Sequence, residues 1–223
     1  ELPAIIRATQ LTGKHVVDVG CGVGRLILPF SPLTKTITAV DESQFTVKTV
    51  RDLIFEHRLK DRVQIVQSTL SSLPFDDDVS ESTYCLWVIH YAKPRWEKIV
   101  AEMVRVTKKG APVVVGFGSG EGDLPAFEEI CKPDRVMLMK EFDDIFPAWV
   151  KEQEWKLEMQ KVPLQFEFKS PEWALEVFRN TFIPKDLSQE KVNESLAFLQ
   201  SRVKGNKVII TQELRLYVIR AVE

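Results

Sequence analysis

The chain has 223 residues, 44% hydrophobic and 28% charged, with a formal net charge of −2. That length suits one domain with a full core and a small subdomain, and the balance of residues excludes a disordered chain. The charge offers no general attraction to phosphate backbones, so nucleic acid is a poor expectation as a partner, and apolar runs such as "APVVVGFG" fall far short of the roughly 20 residues of a membrane span.

Cys21, Cys85 and Cys131 are odd in number and lack metal-type spacing, which favours reduced thiols in a cytoplasmic setting. The chain starts at Glu1 without a Met, so an N-terminal piece is expected to precede it, with any localisation signal.

"KHVVDVG" reads as a buried strand, "VGRLILPFSP" as the following helix and "KTITAVD" as a second strand. "ESQFTVKTVRDLIFEHRLK" is expected to be an amphipathic helix with apolar positions Phe45, Val47, Val50, Ile54 and Leu59, and "RVQIVQS" is a third strand. After the turn "LPFDDDVSES", "TYCLWVIHY" is a fourth strand running into a loop, and "PRWEKIVAEMVRVTKKG" is a helix closed by Gly110. "APVVVGFG" is the fifth strand. Strands alternating with helices imply a parallel sheet wound on both faces.

Beyond residue 118 the pattern changes. Residues 121–153 read as one or two helices, "EWKLEMQKVPLQFEF" as a strand, "SPEWALEVFRNTF" and "QEKVNESLAFLQSRVKG" as helices, and "KVIITQELRLYVIRAV" as a long final strand. The expected fold is α/β, a doubly wound Rossmann-like sheet of seven strands, mostly parallel with an antiparallel last strand, plus a small helical cap.

Gly20, Gly22 and Gly24 sit where a buried strand must turn into a helix, and side chains there would keep a ligand off the backbone. Their G-x-G-x-G spacing differs from the G-x-G-x-x-G that cradles a pyrophosphate. Asp18 adds a carboxylate inside the strand, where a diphosphate is repelled, so the loop favours a cationic or zwitterionic group beside a nucleoside. Asp41 closes the second strand at the offset of an acid that receives ribose hydroxyls; its alternative role is to cap the helix begun by "DES".

"VVDVGCGVGRL", "AVDES", "LSSLPFDDDVSESTYCLWVIHY" and "EMVRVTKKGAPVVV" occur in this order. Together they resemble the class I S-adenosylmethionine-dependent methyltransferases, in particular the subgroup with the ubiquinone and menaquinone biosynthesis enzymes. The resemblance implies S-adenosyl-L-methionine as cofactor, held by Asp18, Gly20, Cys21, Gly22, Gly24, Asp41, Glu42, Thr69, Leu70 and Trp87. It implies a cofactor-binding core over residues 1–118, a cap for substrate recognition over 119–205 and a final strand over 206–223. Thr69 stands where the family usually has an Asp facing the adenine amine, and a neutral hydroxyl accepts less strongly there. Ser80-Glu81 replaces the usual aromatic-Asp pair before the fourth strand.

The candidates for chemistry follow the fourth strand, because ligands bind at the carboxyl ends of such strands. His90 is a candidate base and Tyr91 a contact to the sulfonium or acceptor; the bland alternative is a histidine that orders the loop. Cys85 reads as a small strand-end residue. Phe127, Met137, Met139, Phe142, Phe146 and Trp149 either line an apolar acceptor pocket or hold the cap in place. The acids of "FDDD" read as a solvated turn, and no metal is expected. No Asn/Asp-Pro-Pro-aromatic segment follows the fourth strand, which lowers base or amide nitrogens as acceptors. The leading reading is methyl transfer to a small molecule. A methyltransferase acting on protein or RNA, and a non-catalytic binding module of the same fold, stay open, as does the oligomeric state.

Overall fold

The computed structural model describes residues 1–221. In chain order the elements are α1 (Leu2–Thr9), β1 (His15–Val19), α2 (Ile27–Phe30), β2 (Thr36–Asp41), α3 (Gln44–Glu56), β3 (Val63–Gln67), β4 (Ser82–Leu86), a 3-10 turn (Ile89–Tyr91), α4 (Trp96–Val106) and β5 (Val113–Gly118). They continue with α5 (Asp123–Cys131), α6 (Pro133–Glu152), β6 (Lys156–Phe168), α7 (Pro171–Thr181), α8 (Gln189–Gln200), β7 (Val203–Lys204) and β8 (Lys207–Arg220). The main sheet order is β3-β2-β1-β4-β5-β8-β6, with the short β7 paired beside β8. β1 to β5 run parallel and β8 is antiparallel, so the expected mixed Rossmann-like sheet is present.

Burial explains the strand sequences. β4 and β5 are buried at every position, and β1 at every position after His15, which suits parallel strands covered on both faces. The crossover α3 buries Val47, Val50 and Ile54. The order turns at β1, with β2 and β3 on one side and β4 and β5 on the other. The crevice above that reversal is where an open α/β sheet receives a ligand.

The chain forms two compact units. One comprises Leu2–Phe117, Pro147–Gln160 and residues 216–221. In it Trp149 packs edge-on against Trp96 and Trp155, with ring centroids 5.0 and 5.6 Å away, and Phe117 stacks on Tyr217 at 5.2 Å.

The other unit comprises Gly118–Phe146 and Lys161–Arg215. It has its own core of Leu124, Phe127, Cys131, Ala174, Phe178, Leu199, Val208 and Ile210. Asp123, at the start of α5, accepts from Thr211 N, Thr211 Oγ1 and Arg202 Nε, which fastens the helix to β8. Phe127 therefore fills a core; Met137, on α6, is 64% exposed.

Four details depart from the sequence reading, one being the short β7 at Val203–Lys204, where the helix over "QEKVNESLAFLQSRVKG" was expected to continue. α1 was not anticipated. The helix expected over "VGRLILPFSP" shrinks to one turn, because Gly24 holds a left-handed φ of 82° and helix formation starts only after it. α4 ends at the Thr107 cap, three residues before Gly110, which lies in the following turn.

Phe127 is fully buried and meets Phe178 edge-on at 4.8 Å. Phe127→Ala is expected to cost about 3–5 kcal/mol, whereas Phe45→Ala, at a site 73% exposed, should stay within about 0.5 kcal/mol. Thermal unfolding of the two variants measures the difference.

Candidate functional site

The turn after β1 is fastened to β2. Gly20 N and Cys21 N both donate to Val40 O, at 2.8 and 3.1 Å. Gly20 has φ 75°, and a Cβ built on it would lie 2.8 Å from Val88 Cγ2, so the turn passes close to the segment after β4. Gly22, at φ 53°, faces open space, with nothing within 4 Å of a built Cβ. A side chain at Gly20 is refused by the fold; at Gly22 it would fill room available to a ligand. Gly24 faces Ile27 and Val50, so its contacts are to the protein's own helices.

Asp18 lies in β1 beside Ala39 of β2 and Tyr84 of β4. It is 3% exposed. Burial pushes its carboxyl up to about 7; the Tyr84 hydroxyl and the Arg25 charge oppose that rise, and Asp41 adds to it.

Asp41 ends β2. Its Oδ2 accepts from Gly22 N at 3.1 Å and its Oδ1 from Ser43 N at 2.9 Å. A carboxylate has about four acceptor positions, so each oxygen keeps one for a further donor, the arrangement a vicinal diol needs. The helix-capping alternative goes to Ser43, whose hydroxyl accepts from Thr46 N at 3.3 Å.

Glu42, the next residue, carries a network that joins three loops. Its Oε1 accepts from Thr69 Oγ1, Leu70 N and Arg95 Nη1, each at 2.9 Å, and its Oε2 from Arg95 Nη2 at 3.2 Å. Hydrogen bonds from Arg95 first, then from Leu70 and Thr69, hold its carboxyl down at about 2 against the opposing effect of burial. Arg95 was missed in the sequence: it lies 53 residues from Glu42, and no local motif signals the pairing.

Beyond β4, Trp87 has a left-handed φ of 66° and donates its N–H to Gly116 O at 2.7 Å. Such a backbone costs a bulky residue about 1–3 kcal/mol, a local strain at the carboxyl edge of the sheet. His90 is fully buried in the 3-10 turn, its ring 3.9 Å from that of Tyr91 and 6.3 Å from that of Phe117. Tyr91 is 57% exposed. Burial raises the thiols of Cys21 and Cys85 well above their ordinary value, so neither is a ready thiolate.

The acidic turn is clasped from α4. Arg105 donates to Leu73 O, Phe75 O, Glu102 and Asp77, the last at 2.7 Å, which gives the charge of Asp77 a partner in the fold.

An amino-acid nucleoside carrying a sulfonium fits these residues in three respects: room at Gly22, two acceptor positions on Asp41, and a buried carboxyl at Asp18. Residues 17–115 match a family model described as a methyltransferase domain. Phosphatidylethanolamine N-methyltransferase of Cereibacter sphaeroides is 29% identical over 119 residues, 52% of this chain and 58% of that protein. Norajmaline N-methyltransferase of Rauvolfia serpentina is 27% identical over 135 residues, 59% of this chain and 44% of that one. The chain thus spans about half the length of the curated relatives it matches. The crystal structure of YcgJ from Bacillus subtilis superposes with a TM-score of 0.70 at 17% identity, covering 100% of this chain and 98% of that one. The motifs, the sheet order and the family match together make residues 17–115 similar to a methyltransferase domain, on a sheet of the same fold as the solved methyltransferase-like structures.

Proposed function

We propose that this chain transfers a methyl group from S-adenosylmethionine to a small-molecule acceptor. The observation that carries the reading is the Asp41 carboxylate, fixed by Gly22 N and Ser43 N with one acceptor position left on each oxygen, beside the open face of Gly22. When bound, the cofactor supplies an electrophilic methyl on a positively charged sulfur.

In this reading Asp41 receives the ribose hydroxyls, Gly22 leaves room for the amino-acid portion, and Gly20 and Cys21 form the turn that borders it. Asp18, pushed toward neutrality by burial, gains negative charge beneath the turn as a cationic group arrives, and Leu70 gives the purine an apolar rim. The segment after β4 serves the acceptor side: Tyr91, exposed, meets the acceptor, while His90, packed against Tyr91 and near Phe117, orders the turn. Methyl transfer is an in-line displacement that gains most from alignment and exclusion of water, so a dedicated base is not required.

A small acceptor is supported by the relatives, whose names specify phosphatidylethanolamine and norajmaline, and by the chain's net charge of −2. The family match ends at residue 115. We assign cofactor binding to residues 1–118, acceptor choice to 119–205 and completion of the sheet to 206–223. Incubating the protein with methyl-labelled cofactor and a metabolite extract should label a low-molecular-weight product. Label on protein or RNA instead would contradict the small acceptor, and cofactor binding without labelling of any fraction would contradict catalysis.

Removing the Asp41 carboxylate leaves two hydroxyls without a charged acceptor. Asp41→Ala should weaken S-adenosylmethionine binding by about 1.5–3 kcal/mol, roughly 10- to 150-fold by calorimetry.

Asp18 gives a pH signature in the protein alone. Its carboxyl holds a proton up to about pH 7 when folded, against an ordinary value of 3.8. Between those values the folded state binds the extra proton, so stability should fall as pH rises from about 4 to 7, by ~4 kcal/mol, and then level off. Asp18→Asn should lack that fall, as measured by denaturant midpoints across the window; parallel curves for parent and variant would refute the assignment.

A further inference from the structure

We propose that Glu42 receives the exocyclic amine of the cofactor's adenine, with Arg95 as the positioning residue that presents it. This deepens, and rests on, the reading of Asp41 as the ribose acceptor. A purine adjoins the ribose that carries it, and Glu42 adjoins Asp41 at the ends of β2 and β3, where Leu70 supplies a nearly buried apolar side chain.

The two oxygens of Glu42 differ in occupancy. Oε1 takes three donors at 2.9 Å, which leaves it no acceptor position, whereas Oε2 takes only Arg95 Nη2, at 3.2 Å. Oε2 is therefore the available charged acceptor of this network. Thr69, the residue expected to meet the amine, is already engaged. Its hydroxyl donates to Glu42, and its oxygen lies 3.2 Å from Ser71 Oγ and 3.4 Å from Arg95 Nη1. Thr69 and Leu70 thus hold one oxygen of Glu42 while Arg95 grips both, fixing the carboxylate where a longer side chain at position 69 would otherwise reach.

The Arg95 and Glu42 side chains are 46% and 37% exposed. Exposed pairs contribute little to stability, so loss of the pair should leave the fold intact and change placement of the carboxylate. The low protonation range of Glu42 keeps it an acceptor at every physiological pH. A fixed acceptor of this kind discriminates: a purine with oxygen in place of the amine would set two acceptors face to face.

The test compares S-adenosylhomocysteine with S-inosylhomocysteine, in which oxygen replaces that amine and the adjacent N1 carries a proton, by calorimetric binding to the parent and to Glu42→Gln, Arg95→Ala, Thr69→Val and Asp41→Asn. The parent should prefer the amino form by roughly tenfold or more. Glu42→Gln, whose amide can donate as well as accept, should bring the ratio close to one. Arg95→Ala should weaken binding of the amino form and lower the ratio, and Thr69→Val should keep the preference. Asp41→Asn should weaken both ligands alike with the ratio unchanged. An unchanged ratio in Glu42→Gln would overturn the proposal, as would loss of the ratio in Thr69→Val alone, which would make the hydroxyl the acceptor. An unchanged ratio and affinity in Arg95→Ala would remove Arg95 from it. A parent that binds neither ligand, or an Asp41→Asn that binds both like the parent, would instead refute the ribose reading beneath it.

Discussion

The N–H groups of Gly22 and Ser43 converge on the two oxygens of Asp41, and that convergence ties the turn after β1 to the first residues before α3. Both contacts depend on sheet register. β1 and β2 run parallel with Val19 opposite Val40, so the turn leaves β1 level with the last residue of β2. Gly20 then closes against Val88, which brings the segment after β4 to the same edge. A carboxylate with two satisfied and two open acceptor positions is a preorganised receptor: its own backbone partners fix its orientation before any ligand arrives.

Around that receptor the charges are handled in opposite ways. Asp18 is buried and its carboxyl is pushed toward neutrality, so its ionisation responds to whatever positive charge comes near. Glu42 is exposed and held ionised by Arg95, Thr69 and Leu70. The first arrangement suits a cationic centre that arrives with the ligand; the second suits a neutral hydrogen-bond donor. Both stand near the edge of the sheet at which β1, β2 and β3 end. The segment after β4 adds a contrast of its own, a buried His90 packed against an exposed Tyr91.

The sheet was legible because its strands are short apolar runs between helices of regular spacing, and each such run returned as a strand. The glycine turn was legible because glycine takes the left-handed φ values at positions 20, 22 and 24 without the steric cost of a Cβ. Contacts between residues distant in sequence were not. Arg95 meets Glu42 through the spacing of the loops after β2 and β4, and Thr69 looked like a weakened acceptor until its hydroxyl was found donating to that glutamate. Helix α1 escaped notice because eight residues, "LPAIIRAT", show little more than two helical turns of pattern. Phe127 and Met137 look equally apt for a pocket in sequence, yet one is buried in a core and the other faces solvent.

The central claim is that one ligand edge, formed by the turn after β1 and the ends of β2 and β3, receives the cofactor. Amide chemical shifts during titration with S-adenosylhomocysteine test it most directly. The account predicts saturable changes centred on Gly22, Ser43 and Leu70, whose N–H groups are held by Asp41 and Glu42. Changes centred instead on Thr36, Val63 and Gln64, at the opposite ends of β2 and β3, would contradict it.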